Sequence, residues 1–266
     1  MSTLIVIPAR YKSSRYPGKP LASLTGASGK AMTLIERSWR AAMAVQGVDA
    51  VTVATDDARI AEAAQAFGAD VTMTAEACAN GTERCVDALR VRGETPDVVV
   101  NLQGDAPLTP PWFVEALIAA MEGGGGPAVT TPVLRCDLQT YTNFTEDRRA
   151  GRVGGTTAVF GADMSALYFS KEVIPFLPKP PAPGAPVPVF HHVGLYAYTP
   201  AALHAYAAAK PGPLETLEGL EQLRFLENGI PIRCVAVEGR GRVFWELNNP
   251  EDIPRIETAL KAEGLD

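Results

Sequence analysis

Four basic side chains lie close together near the N-terminus, in the stretch IPARYKSSRYPGKPLA at residues 7–22. They are Arg10, Lys12, Arg15 and Lys19. Two serines and Gly18 lie among them and leave the backbone accessible to an anion. An ion pair at about 4 Å contributes roughly 4 kcal/mol at an effective dielectric of about 20, and a polyphosphate forms several. We therefore interpret this loop as a candidate polyphosphate site.

The stretch is not a P-loop. Pro20 stands where a P-loop has the Ser or Thr that holds the metal, and the upstream glycine is missing. The alternative interpretation is a solvated basic loop that makes only surface ion pairs, which contribute little to stability.

A candidate metal ligand occurs in NLQGDAP at residues 101–107. Asp105 follows an apolar stretch and lies between Gly104 and Pro107. Magnesium prefers one or two carboxylates together with phosphate oxygens, so a carboxylate that faces a basic loop suits it. A turn or helix cap is the alternative for a single loop aspartate. Together with the basic loop, Asp105 indicates metal-assisted phosphoryl chemistry.

Other candidates allow two interpretations each. Arg84, in GTER at residues 81–84, either reaches a ligand from a helix start or belongs to a plain capping arrangement with Thr82. His191 and His192 begin a predicted strand, where a buried structural histidine and a ligand-contacting one are both expected. The stretch at 214–229 is predicted to be one amphipathic helix capped by Gly229, with most of its acids solvated.

The first half of the chain alternates apolar stretches of strand length with stretches of helical period. We predict strands at 3–9, 48–57, 69–74 and 96–105 and helices at 31–46, 58–69 and 83–91. Strands that are apolar on both faces and separated by helices indicate a mostly parallel sheet covered on both sides. The fold class is thus α/β, doubly wound. Ligands of such sheets bind at the carboxyl ends of the strands, where the basic loop, ATDD at 54–57 and NLQGDAP are predicted to converge.

The second half is more mixed. We predict strands at 128–133, 165–171, 191–199 and 232–238, helices at 200–209 and 215–228, and a last helix after Pro250. Residues 174–190 carry seven prolines, which indicate an extended, semi-rigid surface excursion. We treat residues 1–266 as a single domain in which residues about 163–200 form a mixed-strand, Pro-rich excursion.

Composition excludes several classes of protein. The net charge of −6 argues against a general nucleic-acid binder, so the basic loop serves a local anion. The four cysteines form no C-x-x-C pair and indicate neither a zinc site nor a disulfide framework. The apolar run TLIVIPA is too short for a signal peptide, and no stretch is long enough to insert into a membrane. We expect a cytoplasmic protein.

Eight motifs in this order resemble the 3-deoxy-manno-octulosonate cytidylyltransferases, the CMP-Kdo synthetases, nearly from end to end. They are IPARYKSSRYPGKPLA, ATDD, GTER, NLQGDAP, ALYFSK, HVGLYAY, LEQLRFLENG and NNPEDI. The resemblance implies the nucleotide-diphospho-sugar transferase type of fold, with a smaller mixed β/α dimerisation region and a homodimeric enzyme. It also implies that CTP and the acidic sugar Kdo are coupled for lipopolysaccharide or capsule assembly, with Mg²⁺ as cofactor.

The resemblance also implies roles for individual residues. The nucleotide would be held by Arg10, Arg15, Lys19, Asn80, Gly81, Thr82 and Arg84. The sugar would contact Gln103, His192, Glu221 and Gln222, and the metal would bind Asp105 and the position of Asn248. Arg10, Lys19 and Asp105 would be the catalytic residues. The sugar's anomeric hydroxyl would attack the α-phosphate of CTP in line, which requires mainly positioning and charge neutralisation.

Departures from the family pattern gather on the metal and sugar side. Asn248 replaces the Asp of V-D-T-P-E-D that would be a second magnesium ligand, so metal affinity should fall unless Glu246 or Asp252 compensates. Cys78 stands for a histidine, and His191 stands where Lys or Arg is usual. Two alternatives follow: a paralogue that activates another acidic or amino-substituted sugar, and a non-catalytic nucleotide-binding protein.

Overall fold

The computed structural model describes residues 1–13, 15–123, 125–242 and 245–266. Ser14 of the basic loop and part of the RVFWELNN stretch therefore lie outside the described residues. The strands are β1 (Thr3–Ala9), β2 (Ser23–Thr25), β3 (Ala31–Thr33), β4 (Ala50–Thr55), β5 (Asp70–Met73), β6 (Val98–Leu102), β7 (Val129–Arg135), β8 (Thr156–Phe160), β9 (Ala166–Ser170), β10 (Phe190–His192), β11 (Leu195–Tyr198) and β12 (Ile232–Val237).

The α-helices of the described residues are 5 to 12 residues long. They are α1 (Leu34–Met43), α2 (Ala58–Ala66), α3 (Gly81–Arg92), α4 (Pro111–Met121), α5 (Leu138–Arg149), α6 (Pro200–Ala208), α7 (Pro213–Glu218), α8 (Leu223–Glu227) and α9 (Ile253–Ala262). Turns of 3-10 type occur at Lys19–Leu21 and Pro250–Asp252.

One large sheet organises the described residues, with the strand order β5-β4-β1-β6-β11-β7-β10-β8-β9 and β12 paired with β7. β5, β4, β1 and β6 are parallel neighbours, as the doubly wound pattern predicts. β11 inserts antiparallel between β6 and β7, while β12 pairs parallel with β7. The predicted α/β fold class is confirmed.

Alternate residues of the central strand β1 pack into different cores. Ile5 and Ile7 belong to one buried cluster, with α4 residues such as Phe113. Leu4 and Val6 belong to another, with Leu89 of α3. All seven β1 residues are buried, because successive side chains of a strand point to opposite faces and helices cover both faces here.

Three element predictions are wrong in detail. The helix predicted at 31–46 begins only at Leu34, where Thr33 caps it by accepting from the Glu36 amide; residues 31–33 pair with β2 instead. The strand predicted at 191–199 is two strands: β10 pairs with β7 and β8, and β11 pairs with β6 and β7. The helix predicted at 215–228 is interrupted at Gly219, whose φ of 61° is left-handed.

The sequence prediction gives no range for α4, α5, β8 or the hairpin formed by β2 and β3. The Pro-rich residues 174–189 form no helix or strand between β9 and β10. Val187 and Val189 are nevertheless buried against Cys136 and Phe144, which attaches the end of this segment to the protein.

Two predictions from composition concern the pairing of the cysteines and the length of apolar segments. All four cysteines are free thiols. No helix among the described residues is long and apolar enough to cross a membrane.

The loops that follow β1 and β6 approach each other at the carboxyl edge of the sheet. A Cβ on Gly104 would lie only 2.7 Å from the Pro8 carbonyl oxygen, so this contact requires a glycine. Ser38 of α1 donates to the Gly104 carbonyl at 3.0 Å and fixes the same loop from below. The two loops that carry the predicted chemistry are therefore held side by side.

Candidate active site

A cleft of about 400 Å³ opens where the loops after β1 and β6 meet the start of α3. Of the residues predicted to bind the nucleotide, those that line it are Arg10, Arg15, Lys19, Asn80, Gly81 and Arg84. Of the residues predicted to contact the sugar or the metal, Gln103, Asp105 and Glu221 line it. Four predicted residues are not among the lining side chains: Thr82, His192, Gln222 and Asn248.

The basic loop presents three of its four cations to the cleft. Arg10 is exposed and donates from Nη1 to the Ala79 carbonyl at 3.3 Å, which spans the cleft opening. Arg15 donates from Nη2 to Asn248 Oδ1 at 3.1 Å. Lys12 instead pairs with the exposed Glu76 at the rim. The cleft side of the loop therefore carries a concentrated positive charge.

Lys19 and Asp105 form an ion pair across the cleft floor. Lys19 Nζ lies 2.5 Å from Asp105 Oδ2, and the two side chains are 15% and 26% exposed. Lys19 begins the 3-10 turn after Gly18, whose φ of 74° is left-handed, while Asp105 follows β6. The pair thus joins the phosphate-binding candidate to the metal-binding candidate.

The N-terminus of α3 is positioned by side-chain caps. Asn80 Oδ1 accepts from the Glu83 amide at 2.8 Å, and its Nδ2 donates to Tyr206 Oη at 2.9 Å. Glu221 Oε2 accepts from the Thr82 amide at 3.0 Å. Gly81 has no room for a side chain, since a Cβ would lie 2.9 Å from Gln103 Nε2. These contacts hold the start of α3 against α6 and the segment between α7 and α8.

Of the two α3 residues Thr82 and Arg84, Arg84 lines the cleft and Thr82 does not. Thr82 is buried, with its hydroxyl 2.9 Å from Tyr198 Oη, so it fixes the helix from inside. Arg84 is 3% exposed and lies 3.2 Å from Asp56 Oδ1, while it donates to Thr74 Oγ1 at 2.6 Å. Asp56 belongs to the ATDD stretch, which therefore acts at the site through Arg84.

Gln103 and Glu221 are the two predicted sugar contacts that line the cleft. Gln103 Nε2 donates to Glu221 Oε1 at 3.4 Å. Burial raises the pKa of Glu221, and the hydrogen bond from the Thr82 amide opposes that rise by stabilising the carboxylate. The cleft thus offers an amide and a carboxyl group to a polyhydroxylated ligand.

His192 and Gln222 lie one layer behind the cleft. Thr131 donates its only hydroxyl proton to the Leu195 carbonyl at 2.8 Å, so His192 Nε2, 2.8 Å away, donates to Thr131 Oγ1. Gln222 is 2% exposed and accepts from Tyr196 Oη at 3.1 Å. Direct sugar contacts by His192 and Gln222 stay a prediction.

His191 and His192 point to opposite faces of β10. The His191 ring packs edge-on against Phe144, with centroids 5.1 Å apart. The His192 ring packs against Phe169 at 4.8 Å. The departure at His191 therefore belongs to a separate apolar cluster and not to the cleft lining.

The segment after β12 lies beside Asp105, the predicted metal ligand. Asp252 accepts from the amides of Asn248 and Asn249 at 2.9 and 2.7 Å, so this carboxylate is engaged in its own turn. Burial and the charge of Asp105 raise the pKa of Glu246 to about 7. Among the described residues no group of three or more His, Cys, Asp or Glu side chains converges. Two carboxylates, those of Asp105 and Glu246, interact at the cleft floor.

Sequence reasoning found most of the lining residues and left Asp56 without a role. The signal for Asp56 was its place at the end of β4, where it can reach the helix that starts after β5. Tyr198 and Tyr206, which support Thr82 and Asn80, gave no signal of their own, because buried tyrosines are ordinary core residues.

The chain is similar in sequence to known proteins over nearly its whole length. The cytidylyltransferase family model matches residues 4–233. A 3-deoxy-manno-octulosonate cytidylyltransferase of Maricaulis maris (strain MCS10) is 47% identical over 264 residues, which are 99% of each chain. An 8-amino-3,8-dideoxy-manno-octulosonate cytidylyltransferase of Shewanella pealeana (strain ATCC 700345 / ANG-SQ1) is 37% identical over 99% of this chain and 100% of its own.

A solved structure gives the same result. CMP:2-keto-3-deoxy-manno-octonic acid synthetase complexed with CTP matches with a TM-score of 0.83 and 33% identity, covering 100% of both chains. Fold, cleft and relatives together define a CTP-dependent nucleotidyltransferase. The chain belongs to the 3-deoxy-manno-octulosonate cytidylyltransferase family, and the predicted resemblance is confirmed.

The buried His192 predicts a pH dependence of stability. Burial lowers the pKa of His192 to about 3, below its ordinary 6.5. Below pH 6.5 the unfolded chain binds a proton that the native protein does not, so the free energy of unfolding falls as the pH drops. Between pH 7 and pH 5 this group alone accounts for about 2 kcal/mol.

Urea unfolding of the His192→Gln variant at pH 7 and pH 5 measures this contribution. We expect the free energy of unfolding of this variant to fall by about 2 kcal/mol less, between pH 7 and pH 5, than that of the unsubstituted protein. His204→Gln, at an exposed position of α6, is the control and should retain the full drop. An equal drop in the protein and both variants would mean that His192 is protonated in the native state.

Proposed function

We propose that this protein is the enzyme that couples CTP to 3-deoxy-manno-octulosonate, with CMP-sugar and pyrophosphate as products. The observation that supports the proposal most directly is the cleft in which Arg10, Arg15 and Lys19 face Asp105. A relative of the same length, 47% identical, carries the name of this activity, and a solved relative of matching fold is a CTP complex.

The basic loop is proposed to hold the triphosphate. Arg10 and Arg15 extend into the cleft on long side chains, and both make single hydrogen bonds that a phosphate can replace. Guanidinium groups form bidentate bonds to phosphate oxygens, which fix the orientation of the chain of phosphates. Asn80, Gly81, Thr82 and Arg84 would frame the nucleotide from the start of α3.

Asp105 is proposed to bind Mg²⁺, together with the position of Asn248. The donor set fits: Asp105 and Glu246 repel each other electrostatically at the cleft floor, beside the cations that would hold phosphate. When bound, magnesium would neutralise charge on the phosphates as the α-phosphate is attacked. Asn248 Oδ1 can coordinate as a neutral oxygen once it releases Arg15.

The proposed role of the ion pair follows from its two charges. CTP brings phosphate oxygens that suit Lys19, and its metal brings a cation that suits Asp105. Ligand binding would therefore exchange one ion pair for two. Lys19 and Arg10 would then hold the leaving pyrophosphate while a bond forms between the sugar's anomeric oxygen and the α-phosphorus and the α–β phosphoanhydride bond breaks.

The sugar acid is proposed to lie against Gln103 and Glu221. Both side chains line the cleft and are already hydrogen-bonded to each other. His192 and Gln222 would act on the sugar indirectly, through Tyr196. The Tyr196 hydroxyl donates to Gln222, and the Tyr196 ring lies 5.6 Å from the His192 ring.

We also propose a homodimer that works in the cytoplasm and feeds lipopolysaccharide or capsule assembly. Exposed apolar side chains support the dimer: Leu167 of β9, Phe176 of the Pro-rich segment and Leu217 of α7 are 67%, 86% and 83% exposed. Exposed apolar patches on proteins often mark subunit contacts.

An amino-substituted sugar is the second candidate substrate. The relative that carries that name aligns over its full length with this chain. The neutral Asn248 beside Glu246 changes the charge on one side of the cleft relative to the V-D-T-P-E-D pattern. A non-catalytic nucleotide-binding protein is the third, and the intact set Arg10, Lys19, Gln103 and Asp105 argues against it.

Pyrophosphate release with CTP and magnesium tests the proposal. Kdo, its 8-amino analogue and sialic acid are compared as acceptors, with ATP, GTP and UTP in place of CTP as controls. We expect fastest release with CTP and Kdo. Faster release with the 8-amino sugar would identify the paralogue, and CTP binding without release for any acceptor would identify a binding protein.

Asp105→Asn isolates the metal side of the cleft. We expect turnover to be lost, because the metal loses its carboxylate, while metal-free CTP binding stays equal or becomes tighter as Lys19 is freed. Asp137→Asn, which alters the side-chain cap of α5 outside the cleft lining, is the control and should keep turnover. A folded, active Asp105→Asn variant would contradict the assignment.

A further inference from the structure

The segment that follows β12 runs along the loop that carries Asp105. The Leu247 amide donates to the Asp105 carbonyl at 2.9 Å. Leu247 itself is fully buried in the cluster formed with α9, which fixes this segment to the protein. Glu246 and Asn248, on either side of Leu247, are therefore held next to Asp105.

Glu246 directs its carboxylate into the space beside Gly194. A Cβ on Gly194 would lie 3.2 Å from Glu246 Oε1 and 3.9 Å from Gln103 Cγ. Gln103 lines the cleft and precedes Asp105 by two residues. The absence of a side chain at Gly194 leaves room for the Glu246 carboxylate at the back of the cleft floor.

The charged groups that act on Glu246 are those of the proposed phosphate and metal side. Asp105 repels it, Lys19 and Arg15 attract it, and Asn248 donates a hydrogen bond to it. A second carboxylate beside Asp105 is unfavourable unless a cation lies between them, and Lys19 is already paired with Asp105. A divalent cation with two carboxylates and phosphate oxygens satisfies all of these groups.

The other side chains of this segment have different partners. Both oxygens of Asp252 are engaged, one by the amides of Asn248 and Asn249 and the other by Trp245 Nε1 at 3.1 Å. Asn248 is neutral and accepts from Arg15. Glu246 is thus the acidic side chain of residues 245–252 that acts on Asp105.

We propose that Glu246 supplies the second carboxylate for the metal that Asp105 binds, in the role that the neutral Asn248 cannot fill with charge. The inference rests on the proposed function, because it requires a nucleotide-bound divalent cation in the cleft. It assigns a metal-side role to a residue two positions before the Asn248 site.

Titration of Mn²⁺ into the protein with saturating CTP and no sugar, followed by electron paramagnetic resonance, tests this inference without turnover. We expect Glu246→Gln to weaken Mn²⁺ binding by about tenfold or more. Glu251→Gln removes the same charge from an exposed position of the same segment and should leave Mn²⁺ binding unchanged. Thermal unfolding without metal checks that each variant is folded.

A relocated carboxylate provides the decisive comparison. In the Glu246→Gln/Asn248→Asp double variant the acid moves two residues along the segment, and we expect most of the lost Mn²⁺ affinity to return. Unchanged Mn²⁺ binding by Glu246→Gln would overturn the inference, as would equal weakening by Glu251→Gln. CTP binding in EDTA separates the two levels: a protein that binds no CTP overturns the proposed function and this inference together, whereas CTP binding with an unaffected Glu246→Gln overturns the inference alone.

Discussion

The ion pair between Lys19 and Asp105 joins the two loops on which the cleft depends. Lys19 follows β1 and Asp105 follows β6, and these strands are parallel neighbours whose carboxyl ends lie at the same edge of the sheet. Parallel pairing of the two strands therefore brings a cation from one loop and a carboxylate from the other together, although the two loops are far apart in sequence. Gly104, against the Pro8 carbonyl, permits the close approach.

The same pair explains why opposite charges persist in one cleft. A partly buried lysine or carboxylate alone would carry a desolvation cost, and the partner offsets it. Both groups remain accessible from the cleft, so a ligand that brings phosphate and a cation can address each charge separately. The surrounding structure follows this arrangement: Asp56 fixes Arg84, and Glu221 fixes the start of α3.

The parallel half of the fold was predictable because burial dominates there. β1 and β6 are buried on both faces, so their sequences are continuous apolar runs that only a covered strand explains. The antiparallel half was less predictable. The sequence from His191 to Thr199 resembles one strand, but β10 pairs with β7 and β8 while β11 pairs with β6 and β7, with a break at Val193 and Gly194. Gly219 interrupts an otherwise helical pattern because its left-handed conformation ends α7.

The residues of the cleft were also predictable only in part. The cations after β1 and the carboxylate after β6 are consequences of strand order, which the sequence indicates. Side-chain direction depends on the pairing of distant strands, so sequence reasoning could not tell that His191 packs on Phe144 or that His192 bonds Thr131 behind the cleft. The proximity of Glu246 to Asp105 depends on contacts between segments far apart in sequence, among them the hydrogen bond from the Leu247 amide to the Asp105 carbonyl and the burial of Leu247 against α9.

A crystal structure of the protein with CTP and Mg²⁺ tests the central claim about the cleft most directly. We expect the triphosphate to lie against Arg10, Arg15 and Lys19, with Lys19 Nζ on a phosphate oxygen and the Asp105 carboxylate turned to the metal. A triphosphate bound elsewhere, with the Lys19–Asp105 pair intact at 2.5 Å, would contradict it.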